Sequence, residues 1–153
     1  MLTLNHPLPN FRLPATSGKV FESSGYLGKT LILYFYPKDS TPGCTTQGIQ
    51  FRDYYNQFQE HQAEVFGISR DNIKSHEQFK EKFGFPFELL ADTEEEACTL
   101  LGVIKMKNMY GKQVRGIERS TFVIDKHGQI VKEWRGVKVE GHVEEVLNFI
   151  KTL

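Results

Sequence analysis

The side chain in this chain best suited to covalent chemistry is the thiol of Cys44, which follows Pro37, Thr41, Pro42 and Gly43 at the end of an apolar run. Residues 31–36 are strand formers without a polar interruption, the pattern of a strand buried on both faces of a parallel sheet. Turn formers fill residues 37–43, and beyond them Ile49, Phe51, Tyr54, Tyr55 and Phe58 recur at helical spacing. Cys44 therefore stands where a helix begins. Unpaired N–H groups and the positive end of the helix dipole meet there, and both favour the thiolate, the reactive form. Read blandly, the same residue is a small buried hydrophobe. Thr41, three residues earlier, is either a plain turn residue or a hydroxyl that donates to a substrate oxygen or the thiolate while accepting from backbone. Arg119 opens an otherwise apolar strand; it is a surface charge or a permanent cation that reaches the crevice and aligns a polar substrate.

Other chemistries fit less well. Cys98 lies between Ala97 and Leu100-Leu101 on a segment whose other side is acidic, so it reads as a packed thiol with its pKa raised. His6, His61, His76, His127 and His142 show no metal-ligand spacing among themselves or with the cysteines, and no metal is expected. Thr41-Pro42-Gly43-Cys44-Thr45 lacks the lysine and paired glycines of a nucleotide loop, and no organic cofactor is expected. A cysteine hydrolase needs a histidine base, which the spacing does not place. A dithiol reductase needs Cys-x-x-Cys, and the partner position holds Gln47.

The elements that must position Cys44 follow from periodicity. With 153 residues, one domain over 1–153 is expected. A small hairpin is expected within 7–28, then a core strand over 30–36, a helix over 44–60 and a parallel strand over 64–69. A helix over 72–83 has Ile73, Phe79 and Phe83 inward, and a short strand over 87–90 leads to a brief helix near 92–102, capped by Asp92 or Thr93. Residues 103–118 have no firm period and read as loop with some strand. A hairpin over 119–125 and 129–135 and a helix over 141–151 close the chain. This is the order of a thioredoxin-like α/β fold, a central mixed sheet flanked by helices with an N-terminal β-hairpin. Lys+Arg and Asp+Glu balance at 19 each, so no nucleic-acid partner is expected. The stretch 1–7 has no basic region leading into an apolar core and no run approaches membrane-spanning length, so a cytoplasmic protein without a membrane partner is expected. The two cysteines suit a reducing compartment.

Residues 36–45, Tyr-Pro-Lys-Asp-Ser-Thr-Pro-Gly-Cys-Thr, resemble the active-site signature of peroxiredoxins of the bacterioferritin comigratory protein class, also called peroxiredoxin Q. The likeness extends over nearly the whole chain, through Phe51-Arg52-Asp53, Ser69-Arg70-Asp71, Lys74-Ser75-His76, residues 105–111 and residues 116–122. The family pattern Pro-x-x-x-Thr-x-x-Cys matches Pro37, Thr41 and Cys44, and its distant arginine matches Arg119. The resemblance implies a thiol peroxidase. Cys44 would attack hydrogen peroxide or an organic hydroperoxide and become a sulfenic acid; Thr41 and backbone N–H groups would hold the peroxide, Arg119 would orient it, and Pro37 would shield the pocket. Many members carry a resolving cysteine five residues on, where this chain has Ile49, or on the next helix, at the position of Lys80. Both places are empty, and Cys98 is the one remaining thiol. The resemblance therefore points to a one-cysteine cycle closed by an external thiol, such as a thioredoxin, a glutaredoxin or a low-molecular-weight thiol, and to a monomer. Gln47, where relatives often carry Glu, keeps an acceptor and loses a charge. The competing reading is a redox-sensing or chaperone-like binding protein switched by oxidation of Cys44.

Overall fold

In the computed structural model, residues 4–153 are described. The expectation of no leader falls partly on residues 1–3, which lie outside them.

Strand β3 (Thr30–Phe35) is central because its sequence is apolar on both faces. Leu31, Leu33 and Phe35 point into one core layer, and Ile32, Tyr34 and the following Tyr36 into the other. Strand β4 (Ala63–Ser69) pairs with it in parallel, and β5 (Leu89–Ala91) extends the sheet beyond β4. On the other side β8 (Ser120–Ile124) runs antiparallel to β3 and β9 (Ile130–Arg135) follows, giving the order β5-β4-β3-β8-β9. Helices α1 (Pro42–Glu60), α2 (Ile73–Phe83) and α4 (His142–Ile150) supply apolar side chains to the layer of Tyr34. The opposite layer is closed by the N-terminal hairpin of β1 (Arg12–Pro14) and β2 (Val20–Glu22) and by α3 (Glu96–Leu100). The mixed, thioredoxin-like sheet and the N-terminal hairpin are thus as expected. No helix among the described residues is long and apolar enough to cross a membrane.

Two segments differ from the sequence reading. Residues 103–118 form a regular antiparallel hairpin, β6 (Ile104–Met109) and β7 (Lys112–Ile117), joined by Tyr110-Gly111, both at positive φ. Its side chains are mostly exposed on both faces, so neither face carries the apolar alternation that marks a strand. Helix α3 starts at Glu96, later than expected, with Glu95 rather than Asp92 or Thr93 at the cap position. Asp92 still does a cap's work from upstream, its carboxylate accepting from the N–H of Ala97 at 3.2 Å and of Cys98 at 2.8 Å.

Helix α1 begins at Pro42, whose missing N–H costs nothing in the first turn. One turn beyond Cys44 the helix carries Gly48, a residue that weakens a helix interior by about 0.5–1 kcal/mol relative to alanine. Packing explains it: a Cβ at Gly48 would lie 2.4 Å from Cζ of Phe85. Phe85 cannot swing aside, being buried and stacked on Phe87 and edge-on to Phe79. Gly48→Ala is therefore expected to destabilise the fold by about 1–3 kcal/mol despite its better helix propensity. Urea unfolding of the variant beside wild type measures this as a lowered midpoint.

Candidate functional site

The site lies at the C-terminal end of β3, where the chain leaves the sheet through Pro37 and enters α1. Thr41 takes the N-cap position in extended conformation, Pro42 is N1, and Cys44 sits in the first turn. The first bond of the helix runs from the N–H of Thr45 to the carbonyl of Thr41 at 2.9 Å. The N–H groups of Gly43 and Cys44 consequently have no acceptor within the helix and can serve an anion. Cys44 itself is buried, packed with Tyr34 and Tyr36.

Arg119 reaches this cysteine from 75 positions away because β8 runs antiparallel to β3. Ser120 pairs with Phe35, so the residue just before β8 stands beside the end of β3. The guanidinium donates from Nη2 to Sγ of Cys44 at 3.4 Å and from Nη1 to Oε1 of Gln47 at 2.6 Å. Gln47 acts as the acceptor the sequence suggested. Gly43 leaves room, since a Cβ there would lie 3.1 Å from Nη2. A thiol set between a helix terminus and a fixed cation can attack an electrophilic oxygen, with donors ready for the charge that leaves.

Thr41 differs from expectation. Its hydroxyl donates to the carbonyl of Lys38 at 2.8 Å instead of accepting from backbone. With its hydrogen so engaged, the oxygen is left as an acceptor. Pro37 is half-buried at the start of the same loop. Cys98 belongs to the other core layer, beneath the opposite face of the sheet. Burial pushes its thiol well up, and the nearby Asp92 and Glu95 push it further.

The sequence reading missed what holds the loop in place. The phenol of Tyr36 donates to Oδ1 of Asp39 at 2.6 Å, and Oδ2 of Asp39 lies 2.7 Å from Nδ1 of His76 and accepts from Oγ of Ser75 at 2.8 Å. Nε2 of His76 meets the carbonyl of Leu90 at 2.9 Å, and Asp71 accepts from the N–H of Asp39 at 2.9 Å. Residues 36–39 are thereby pinned to α2 and to the ends of β4 and β5. Asp39, Asp71 and His76 approach closely enough to offer ligand atoms to an ion, a grouping the histidine spacing did not suggest. Their polar atoms already serve the hydrogen bonds just described. A signal existed: His76 falls between Ile73 and Phe79 on the inward stripe of α2. Near the thiol, Tyr34 Oη and Gln47 Nε2 are buried with no partner. Burial first, then the negative charges of Cys44 and Asp39, push the Tyr34 phenol well above its ordinary value, so it stays protonated.

The model of the AhpC/TSA family matches residues 4–133. A curated relative, "Peroxiredoxin Bcp" of Xanthomonas campestris pv. campestris, is 48% identical over 150 residues, covering 97% of this chain and 94% of its own. "Peroxiredoxin Bcp" of Bacillus subtilis is 45% identical over 152 residues, covering 99% and 97%. Among solved structures, Xanthomonas campestris peroxiredoxin Q superposes with a TM-score of 0.89 at 48% identity, over 93% of this chain and 90% of that one. The bacterioferritin comigratory protein of Xanthomonas campestris, studied for alkyl peroxide reduction in trapped intermediate and ligand complexes, gives 0.89 at 47% identity with the same coverage.

A second buried polar contact lies behind Arg119. Nε2 of His142 is 2.8 Å from Oγ1 of Thr121, with Trp134 edge-on to the ring. Burial, and then the positive charge of Arg119, lower the His142 pKa to about 4. The native ring thus resists a proton that the unfolded chain accepts below about pH 6.5. Stability is unaffected by this group above that pH and falls as pH drops from about 6.5 towards 4, by up to about 3 kcal/mol in all. Urea unfolding at pH 7 and pH 5 is expected to show a larger acid loss for wild type than for His142→Gln; equal losses would remove His142 as the cause.

Proposed function

The chain belongs to the AhpC/TSA family and is a thiol peroxidase of the Bcp and peroxiredoxin Q kind, reducing hydroperoxides with electrons from a thiol, and on that premise we propose that it works through Cys44 in a one-cysteine cycle. The observation that carries this reading is the guanidinium of Arg119 set 3.4 Å from a sulfur in the first turn of α1.

The Cys44 thiolate attacks the distal oxygen of the peroxide, forming the S–O bond as the O–O bond breaks. The departing alkoxide or hydroxide takes a proton, leaving water or an alcohol, and sulfur is oxidised to the sulfenic acid. Charge moves from sulfur to the leaving oxygen along this path, so donors fixed near both atoms bind the transition state better than the substrate. Arg119 and the N–H groups of Gly43 and Cys44 are those donors. Thr41, its own hydrogen on Lys38, accepts the O–H of the peroxide, and Pro37 covers the thiol from solvent.

Regeneration is assigned to an external thiol. Ile49 and Lys80 occupy the places where a resolving cysteine would be expected, and Lys80 is paired with Glu88 at 2.9 Å. Cys98 is buried under the other face of the sheet with its thiol held protonated. A thioredoxin, a glutaredoxin or a low-molecular-weight thiol then attacks the sulfenic sulfur, releasing water and leaving a mixed disulfide. A second thiol frees Cys44 and carries off the disulfide. A single domain working as a monomer in the cytoplasm completes the proposal, since a reducing compartment supplies such thiols.

Steady-state peroxide reduction tests the assignment. Cys44→Ser is expected to remove activity, and Arg119→Gln to lower kcat/KM for peroxide by about 10²–10³-fold. Cys98→Ser should retain most activity. Mass spectrometry of peroxide-treated protein is expected to find no Cys44–Cys98 disulfide; finding one would make Cys98 the resolving thiol, with the external thiol reducing that disulfide in place of the sulfenic acid.

A further inference from the structure

The hairpin of β6 and β7 is built unlike the rest of the chain. Between Ile104 and Ile117 it carries Lys105, Lys107, Lys112 and Arg115 and no acidic residue, in a protein whose net charge is zero. It also holds Met106 (60% exposed), Met109 (51%), Tyr110 (99%) and Val114 (39%), four of the eight exposed large apolar residues described. Among the described residues the two strands pair only with each other, outside the main sheet.

Pairing sorts its two sides. Ile104 lies opposite Ile117 and Met106 opposite Arg115 on one side, and this side is tied to the body: Ile117 is in the core and Arg115 is ion-paired with Glu95. The other side carries Lys105, the pair Lys107 and Val114, and the pair Met109 and Lys112. Among the described residues none of Lys105, Lys112, Met109 or Val114 has a side-chain bonding partner, whereas Lys107 donates to the carbonyl of Ile117 at 2.7 Å. The base of the hairpin joins the rim of the thiol site. Strand β7 ends two residues before Arg119, and Arg70, which donates to the carbonyl of Arg115 at 3.5 Å, adjoins the Asp71 that holds the loop of Asp39.

We propose that this side of the hairpin is the docking surface for a thiol-bearing protein with an acidic face, the reductant of oxidised Cys44. The proposal rests on the one-cysteine reading above. A partner that delivers a thiol to Cys44 must come to the end of the sheet where the base of the hairpin begins, and Lys105 near that base and Lys112 beside the turn select negative charge and speed encounter. Exposed Met, Tyr and Val interleaved with cations suit the buried centre of a protein interface, and a small anionic thiol has no use for them. Like-charged hairpins repel, which disfavours a second copy of this chain as the occupant. Four cations are also too few, on a neutral chain, to read as a nucleic-acid footprint.

Two double variants test it: Lys105→Glu/Lys112→Glu, and Met109→Ala/Tyr110→Asn, the asparagine being at ease at positive φ. Each is assayed at saturating peroxide with an acidic thioredoxin, with glutathione and with dithiothreitol. For thioredoxin, the charge reversal is expected to lower kcat/KM by about tenfold at low ionic strength, an effect that fades as salt screens it. The apolar pair should lower it about as much at every salt concentration. Rates with dithiothreitol and the stoichiometric oxidation of Cys44 should stay at wild-type values, which also shows the variants are folded. Unchanged thioredoxin kinetics overturn the proposal, as does an equal loss with dithiothreitol. A loss with glutathione matching that with thioredoxin assigns the surface to small anions and overturns it too. Loss of self-association in either variant would make the occupant a second copy, with the same result. Wild type that forms an intramolecular Cys44–Cys98 disulfide on peroxide treatment, seen by mass spectrometry, refutes the one-cysteine cycle itself, an outcome distinct from the others.

Discussion

Everything in this fold that bears on chemistry depends on one short approach, Arg119 to the sulfur of Cys44 at 3.4 Å. Neither residue could be held there by its own segment. Cys44 is set by α1, whose start is fixed by the extended Thr41 and the Pro42 that follows it. Arg119 is set by the pairing of β8 with β3, which brings position 120 beside position 35. The gap between helix and strand is then closed by glycine: a side chain at 43 would press on the guanidinium, and one at 48 would lift the helix off Phe85. A sheet strand apolar on both faces, covered on both, makes this possible because it leaves its C-terminal edge as the place where polar groups can gather.

Much of that was legible in the chain. The run from Leu31 to Tyr36 and the helical period after Cys44 placed the thiol at a strand-to-helix junction, which is where it lies. The inward stripe of α2 is legible too: Phe79 is buried, and Ile73 and Phe83 are half-buried. What could not be read were contacts that join distant segments through polar atoms. Asp39 and His76 are 37 positions apart, and nothing in local spacing links a turn aspartate to a helix histidine. The hairpin of residues 104–117 escaped for the opposite reason. Solvent on both faces removes the alternation that marks strands, and only its Tyr110-Gly111 turn hinted at it.

The two cysteines show how one sheet separates two fates for the same group. Side chains alternate along β3, so the layer holding Tyr34 and the layer holding Leu33 share no side chains of that strand. Cys44 enters the first layer at its polar edge and meets Arg119; Cys98 enters the second beneath Asp92 and Glu95, where burial and acid hold it protonated. The sheet itself stands between them. A resolving role for Cys98 would need α3 to leave its cap on Asp92 and a buried thiol to cross the edge of the sheet, costs that an incoming thiol from solution does not face.

The neutrality of Gln47 gives this arrangement its electrostatic sense. The side-chain hydrogen bonds of Arg119 go to Gln47 and Cys44, and neither partner is a carboxylate. An amide oxygen at 2.6 Å fixes the direction of the guanidinium without cancelling its charge. The sulfur is therefore the group on which that charge acts, and in a buried setting with few competing dipoles a fixed cation acts strongly. As the S–O bond forms, negative charge leaves sulfur for the departing oxygen, and the same half-buried guanidinium, already oriented, can follow it without reorganising. A carboxylate in place of Gln47 would hold Arg119 equally well and share its charge. The rigid pinning of residues 36–39 by Asp39, His76 and Asp71 serves the same end, because a donor set only stabilises a transition state if its positions are fixed before the peroxide arrives.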